Sequence, residues 1–285
     1  MTLKMKFYLI TFIFFVGTLA FPQKYQFENS FGKFISASSF YINSAGFIYV
    51  TDTNTDEVYA LDTLGNLMLK IGGFGYRETA FDDPVDVFAD ALKIYVSDKN
   101  NNRIQRLDKN MNFNFQIYTR DSDNEAERFG YPLSAVMSNQ GDVFILDSEN
   151  TRIVQFDLFG NFIRNFGGYD YGNFALQNPR QLAVSGTNNI FVIDGSEIII
   201  FDQYGNSINK VSGIDNFISI RIIFDLMTLS TERKIYMANL RAPEITLKEV
   251  LLEDLPLNTK IVSSLVYNDK LYLLTKKEIL VFNRI

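Results

Sequence analysis

The pentapeptide IYVTD (Ile48–Asp52) returns five times along the chain, and such a repeat constrains the fold more than any local preference. It recurs as IYVSD (Ile94–Asp98), VFILD (Val143–Asp147) and IFVID (Ile190–Asp194), then more loosely as IYMAN (Ile235–Asn239) and LYLLT (Leu271–Thr275). From first residue to first residue the steps are 46, 49, 47, 45 and 36 residues. A second short strand follows: VYALD (Val58–Asp62), IQRLD (Ile104–Asp108), IVQFD (Ile153–Asp157), IIIFD (Ile198–Asp202) and, after the final copy, ILVFN (Ile279–Asn283). Next comes TLGN, KNMN, LFGN or QYGN, where Gly65, Gly160 and Gly205 supply the positive φ of a tight hairpin. The second repeat carries Met111 at that place, so Asn110 or Asn112 is expected to take the left-handed conformation. Another strand then runs into glycines, as in KIGG (Lys70–Gly73) and NFGG (Asn165–Gly168).

Connectors ending in proline lead into each new unit: FDDPVDV (Phe81–Val87), FGYPLSAV (Phe129–Val136) and LQNPRQLAV (Leu176–Val184). Every unit therefore holds four strands. They are almost continuously apolar rather than alternating, which means that both faces are covered. Four-stranded antiparallel sheets covered on both faces and repeated six times predict an all-β, six-bladed propeller. The blades fall near 37–75, 84–118, 132–168, 179–213, 217–258 and 260–285, about 44 residues each. A helical solenoid would show a 3.6-residue period, and leucine-rich repeats would be shorter. The sixth unit stops after ILVFN, so its outer strand is expected from the N-terminal segment KYQFENSFGKF (24–34). Closing the ring this way removes an exposed sheet edge.

The 285 residues include no cysteine and no histidine. That rules out disulfides and thiolate chemistry and removes the commonest general base and zinc ligand. The remaining oxygen donors suit calcium or magnesium rather than zinc or copper. Residues 1–20 carry Lys4 and Lys6 and then an apolar run from Phe7 to Ala20, the pattern of a secretory signal peptide cleaved after Ala20. An uncleaved anchor is the alternative, although the run is shorter than the ~20 residues of a spanning helix. The expected location is therefore exported, periplasmic or extracellular, with membrane contact only through that segment if it stays. Without Lys4 and Lys6, 25 basic residues face 33 acidic ones, and the formal charge moves from -6 to -8. An acidic chain is a poor ligand for nucleic acid.

The pattern carried by GGFGYRETAFDDPVDV, IYVSDKNNNRIQRLD and DVFILDSENTRIVQFDLFGN resembles the NHL repeat, most clearly over 37–208. That resemblance implies a propeller of the kind that mostly serves as an interaction platform. Lyase members of the group hold zinc through histidine, and this chain has none. Lactonase-like relatives use carboxylates and asparagines around a divalent cation on the axis.

Three sets of residues carry the candidate chemistry. The repeated aspartates Asp52, Asp98, Asp147 and Asp194 close strands before polar loops, where a carboxylate accepts backbone N–H bonds; Arg103 and Arg152 are expected to pair with such carboxylates. The glycine clusters IGGFG and FGGYDYG lack a following helix or Gly-Lys-Ser/Thr, so no nucleotide is expected. The third set lies at the channel mouth. Alignment on the prolines places Ser39, Asp86, Ser134 and Gln181 around the axis, with Ser219 and Ser264 in the divergent blades. The connectors add Tyr76, Arg77, Arg128, Tyr131, Tyr169, Tyr171 and Arg180, residue types that anchor interfaces. The alternative is a solvated loop face. The expected function is recognition of a protein, peptide or glycan without catalysis, cofactor or resident metal, calcium being the candidate should a cation bind. A metal-dependent lactonase or lyase and a structural subunit of a cell-envelope assembly, docking through the irregular fifth blade, stand as alternatives.

Overall fold

The computed structural model describes residues 23–213 and 215–285, so the apolar segment read as a signal peptide lies outside the described residues. Among the described residues no helix is long and apolar enough to cross a membrane.

The first strand, β1 (Lys24–Phe31), belongs to the last blade. Blade one is β2 (Ala37–Ile42), β3 (Ile48–Asp52), β4 (Glu57–Leu61) and β5 (Leu67–Gly72). Blade two is β6 (Pro84–Ala89), β7 (Lys93–Asp98), β8 (Arg103–Asp108) and β9 (Phe113–Ile117). Blade three is β10 (Ser134–Met137), β11 (Val143–Asp147), β12 (Arg152–Phe156) and β13 (Phe162–Phe166). Blade four is β14 (Pro179–Val184), β15 (Ile190–Asp194), β16 (Glu197–Phe201) and β17 (Ser207–Ser212). Blade five is β18 (Ser219–Ile223), β19 (Leu226–Ser230), β20 (Ile235–Asn239) and β21 (Lys248–Glu249). Then come β22 (Leu251–Glu253), β23 (Ser263–Tyr267), β24 (Lys270–Leu274) and β25 (Ile279–Arg284).

The innermost strands β2, β6, β10, β14, β18 and β23 each lie against the next, and β23 lies against β2, so the ring is closed. The fold is an all-β, six-bladed propeller. Strands β3, β11 and β15 are buried along their whole length, which is why the pentapeptides read as unbroken apolar runs. Phenylalanines knit blades three and four edge to face, with Phe144–Phe166 and Phe166–Phe201 centroids 6.2 and 5.2 Å apart.

The closing blade departs from the repeat. Its order is β22-β1-β25-β24-β23, five strands rather than four. β1 runs antiparallel to β25 and parallel to β22, with Lys24 opposite Leu251. Residues 251–253, which the sequence range placed in blade five, thus cross to the next blade and leave β21 only two residues long. Val250, buried between them, is the pivot: its N–H bonds Ile235 O of blade five, and Leu251 N–H bonds Gln23 O beside β1.

The hairpin glycines have a second cause besides backbone conformation. Gly205 has φ +83, and a Cβ there would sit 2.8 Å from the Phe166 ring of the preceding blade; Gly160 rests in the same way on Phe115. The second repeat corrects the expectation for Asn110 and Asn112. Met111 itself takes φ +62, because its N–H bonds Asp108 O while Asp108 Oδ1 accepts the amides of Asn110 and Asn112. The loop geometry is fixed by that carboxylate, and the Met111 side chain is accommodated in the core beside Val87 and Leu107.

These hairpin carboxylates make acid the sensitive side of the stability curve. The side-chain amide of Asn66 and the backbone amides of Asn66 and Leu64 hold the Asp62 carboxyl below its ordinary value; Asn112 does the same for Asp108. A carboxyl depressed in the folded state stabilises it fully above the unfolded value of 3.8 and stops doing so as pH falls through the folded value. Urea midpoints are therefore expected to drop from about pH 4 to about pH 3, and to drop less steeply in an Asp62→Asn, Asp108→Asn double variant.

Candidate functional site

Ser39, Asp86, Ser134 and Gln181 do meet on the axis, but they form a plug rather than a mouth. Each sits near the start of an innermost strand, and the closed ring turns those positions toward one another. Ser39 Oγ donates to Asp86 Oδ1 at 2.6 Å, Ser134 Oγ donates to Oδ2 at 2.5 Å, and Gln181 Nε2 donates to Oδ1 at 3.0 Å. Gln181 Oε1 in turn accepts the Ile220 N–H at 2.8 Å.

Arg221, which sequence reasoning missed, completes the network. It reaches from β18 across the axis, donating from Nη2 to Asp86 Oδ1 at 2.7 Å and to Ser39 Oγ at 2.5 Å, and from Nε to Phe40 O at 2.9 Å. Asp86 and Arg221 are 1% and 2% exposed. A buried carboxylate requires such a partner, so the one charged residue in the mostly apolar stretch FISIRIIF was the available signal. Ser219 pairs with Ser263 at 2.6 Å, while Ser264 bonds Ser230 at 2.8 Å. With Arg221 neutralising Asp86 and both carboxylate oxygens engaged, the axis offers no acidic cradle that fits a divalent cation. Among the described residues no group of three or more acidic side chains is placed to hold a metal.

The repeated aspartates are structural. Asp52 accepts the amides of Ile35 and Ser36, Asp98 that of Asp82, Asp147 that of Gly130, and Asp194 that of Gln177. Each thereby ties an incoming connector to the hairpin of its own blade. Arg103 and Arg152 pair with Asp98 and Asp147 at 2.7 and 3.3 Å. Arg103 also donates to the carbonyls of Tyr76, Arg77 and Ala80, which pins that connector from beneath.

The remaining predicted residues lie along three successive connectors rather than in one pocket. Tyr76 is exposed with its ring 4.5 Å from the Arg103 guanidinium, and Tyr131 is exposed with Arg120 5.4 Å from its centroid. Tyr131 is held at φ +47 by its N–H bond to Asn102 Oδ1. Tyr169 opens a 3-10 turn (Tyr169–Phe174) and is 97% exposed. Tyr171 in the same turn does not join the surface: it is half-buried, edge-on to Phe201 at 6.0 Å. Arg77 and Arg180 project into solvent. Arg128 is half-buried; its Nε donates to Ser122 O, and it borders a polar depression of about 520 Å³ shared with Arg120, Glu149 and Arg152. Arg120 pairs with Glu149 and Arg152 with Asp147, so this depression carries no strong net charge. Phe74, 79% exposed beside Tyr76, was missed because it lies in a glycine cluster read for phosphate geometry alone.

A closed ring with a plugged axis and exposed aromatics on its connectors defines this six-bladed propeller. No family model matches the sequence. Over 149 residues, 50% of the chain, it is 36% identical to Protein brain tumor of Drosophila melanogaster; over 147 residues it is 33% identical to the B-box type zinc finger protein ncl-1 of Caenorhabditis elegans. These stretches cover 13% and 17% of those much longer proteins. Among solved structures, a streptogramin B lyase superposes with a TM-score of 0.63 at 12% identity, covering 89% of this chain and 95% of that one. A catalytically inactive histidine-to-alanine variant of virginiamycin B lyase from Staphylococcus aureus, with quinupristin, gives 0.62 at 12% identity, covering 92% and 100%. At such identity the likeness is one of fold.

Proposed function

We propose that this protein is an NHL-type, exported, non-enzymatic binding propeller that recognises a protein, peptide or glycan through its connector face. One observation carries this: Phe74, Tyr76, Tyr131 and Tyr169 are held in solvent on three consecutive connectors, two of them over buried or bonded guanidinium groups. Large exposed aromatics on a pinned backbone lose little entropy on binding, which is what an interface anchor requires. The NHL assignment rests on the repeat motifs and on the sequence likeness over half the chain. Export rests on the apolar N-terminal run alone. Binding without catalysis or resident metal is favoured because the axis carboxylate is already paired with arginine and because the chain has no histidine, the residue whose loss marks the inactive lyase variant.

The test compares partners crosslinked by the parent with those crosslinked by a Tyr76→Ala, Tyr131→Ala, Tyr169→Ala variant. A second variant, Leu64→Ala, Phe159→Ala, Tyr204→Ala, removes exposed side chains from the hairpins at the other end of the blades. Partners are expected to be lost, by at least about tenfold, from the first variant and retained by the second. Equal retention by both would end the proposal.

A further inference from the structure

At the end of the axis away from the connectors, the innermost strands turn over into their hairpins around a depression of about 310 Å³. Its apolar wall is drawn from five blades: Tyr41, Phe88, Met137, Val184, Ile222 and Phe224. Tyr41 lies two residues beyond Ser39 on β2 and so faces the axis as Ser39 does. Its ring packs against Phe88 at 4.9 Å and lies 5.7 Å from the Arg221 guanidinium. The polar plug therefore closes the depression from beneath, making it a blind well and not a channel.

Two independent features mark the well. The first is Phe224, 72% exposed at its lip with φ +56. It is the first of the two residues joining β18 to β19, a place that favours glycine, and a bulky residue there is strained. An exposed ring contributes little to the core, so the fold does not explain why the strain is kept. The second is a pair of under-used polar groups. The Tyr41 hydroxyl makes only a 3.5 Å contact with Ile222 O. Asp90 accepts the amides of Leu92 and Lys93 on Oδ1, and its Oδ2 has no protein donor among the described residues. Burial pushes the Tyr41 pKa up to about 12, so its hydroxyl remains a donor across the working pH range.

We propose that this well binds a small hydroxyl-bearing aromatic molecule, its ring held between Phe224 and the Tyr41–Phe88 pair and its hydroxyl directed to Tyr41 Oη or Asp90 Oδ2. Aromatic walls favour edge-to-face partners, and Met137 adds a polarisable thioether to the wall, its sulfur accepting the Tyr95 hydroxyl at 3.2 Å. The volume, about 310 Å³, is at the small end of ligand sites, which suits one or two fused rings rather than an acyl chain. The site is at the opposite end of the axis from the connector face, so either can fail alone.

The experiment is calorimetric titration of the full chain with 2-naphthol, with sodium decanoate as the acyl comparison. The parent is expected to show a single saturable site and to bind decanoate more weakly. Phe224→Gly is expected to melt at a higher temperature, because the strain is relieved, yet to bind 2-naphthol at least about tenfold more weakly. Phe224→Tyr should bind like the parent, and Phe224→Leu, which keeps bulk without a ring, should lose most of the affinity. This second pair decides the matter if Phe224→Gly fails to fold. Absence of saturable heat with the parent, tighter binding of decanoate, or parental affinity in a folded Phe224→Gly or in Phe224→Leu would overturn the proposal.

Discussion

Replacing Arg221 with methionine is expected to destabilise the protein by about 3–5 kcal/mol, the cost of stranding a buried charge. Asp86 is 1% exposed and would lose its only cationic partner among the described residues, while Phe40 O and Ser39 Oγ would each lose a donor. Tyr41 covers the guanidinium on one side, its ring 5.7 Å away. The loss should be visible as a fall in urea midpoint without a change in slope. Adding Asp86→Asn should recover most of it, because a neutral amide no longer needs the arginine and can still bond Ser134. Charge is thus separable from packing. A stable Arg221→Met single variant would show that the axis tolerates an unpaired carboxylate, against the geometry.

Removing β1 should have the larger effect. This strand is bonded on both sides, to β25 and to β22, and Tyr25 within it is 2% exposed. Phe27 packs edge-on against Phe282 at 5.6 Å. Phe31 lies against Gly65 of blade one, spanning the seam where the ring closes. Loss of one buried aromatic costs about 3–5 kcal/mol, and whole domains have a net stability of only about 5–15 kcal/mol. A chain starting after residue 33 is therefore expected to lose its cooperative thermal transition and to associate through the bare edge of β25. A peptide spanning 23–33, supplied in trans, should restore the transition by refilling that edge. Circular dichroism with light scattering measures both outcomes.

Much of this was legible in the residues. The pentapeptides located the buried second strands because a strand covered on both faces must be apolar throughout. The recurring aspartates read as turn chemistry, since a carboxylate that returns in four successive blades answers a local backbone need. Asp86 was identified as an axis residue by counting from the connector prolines. Arg221 was not, because blade five has lost the glycines and prolines that give the alignment its anchor, and its ion pair joins residues 135 positions apart. Tyr169 and Tyr171 show the same limit at short range: two tyrosines in one turn differ only in whether Phe201 lies beside them.

Local patterns by themselves determined the number of blades, the order of strands and the places of the turns, because each depends on residues within one repeat. Only the tertiary structure decided which groups meet across the ring. It turned four presumed channel-lining residues into a plug, sent 251–253 to the neighbouring blade, and opened a well at the end of the axis where no motif pointed. The reason is that closure of a ring sets distances between strands that the repeat leaves free.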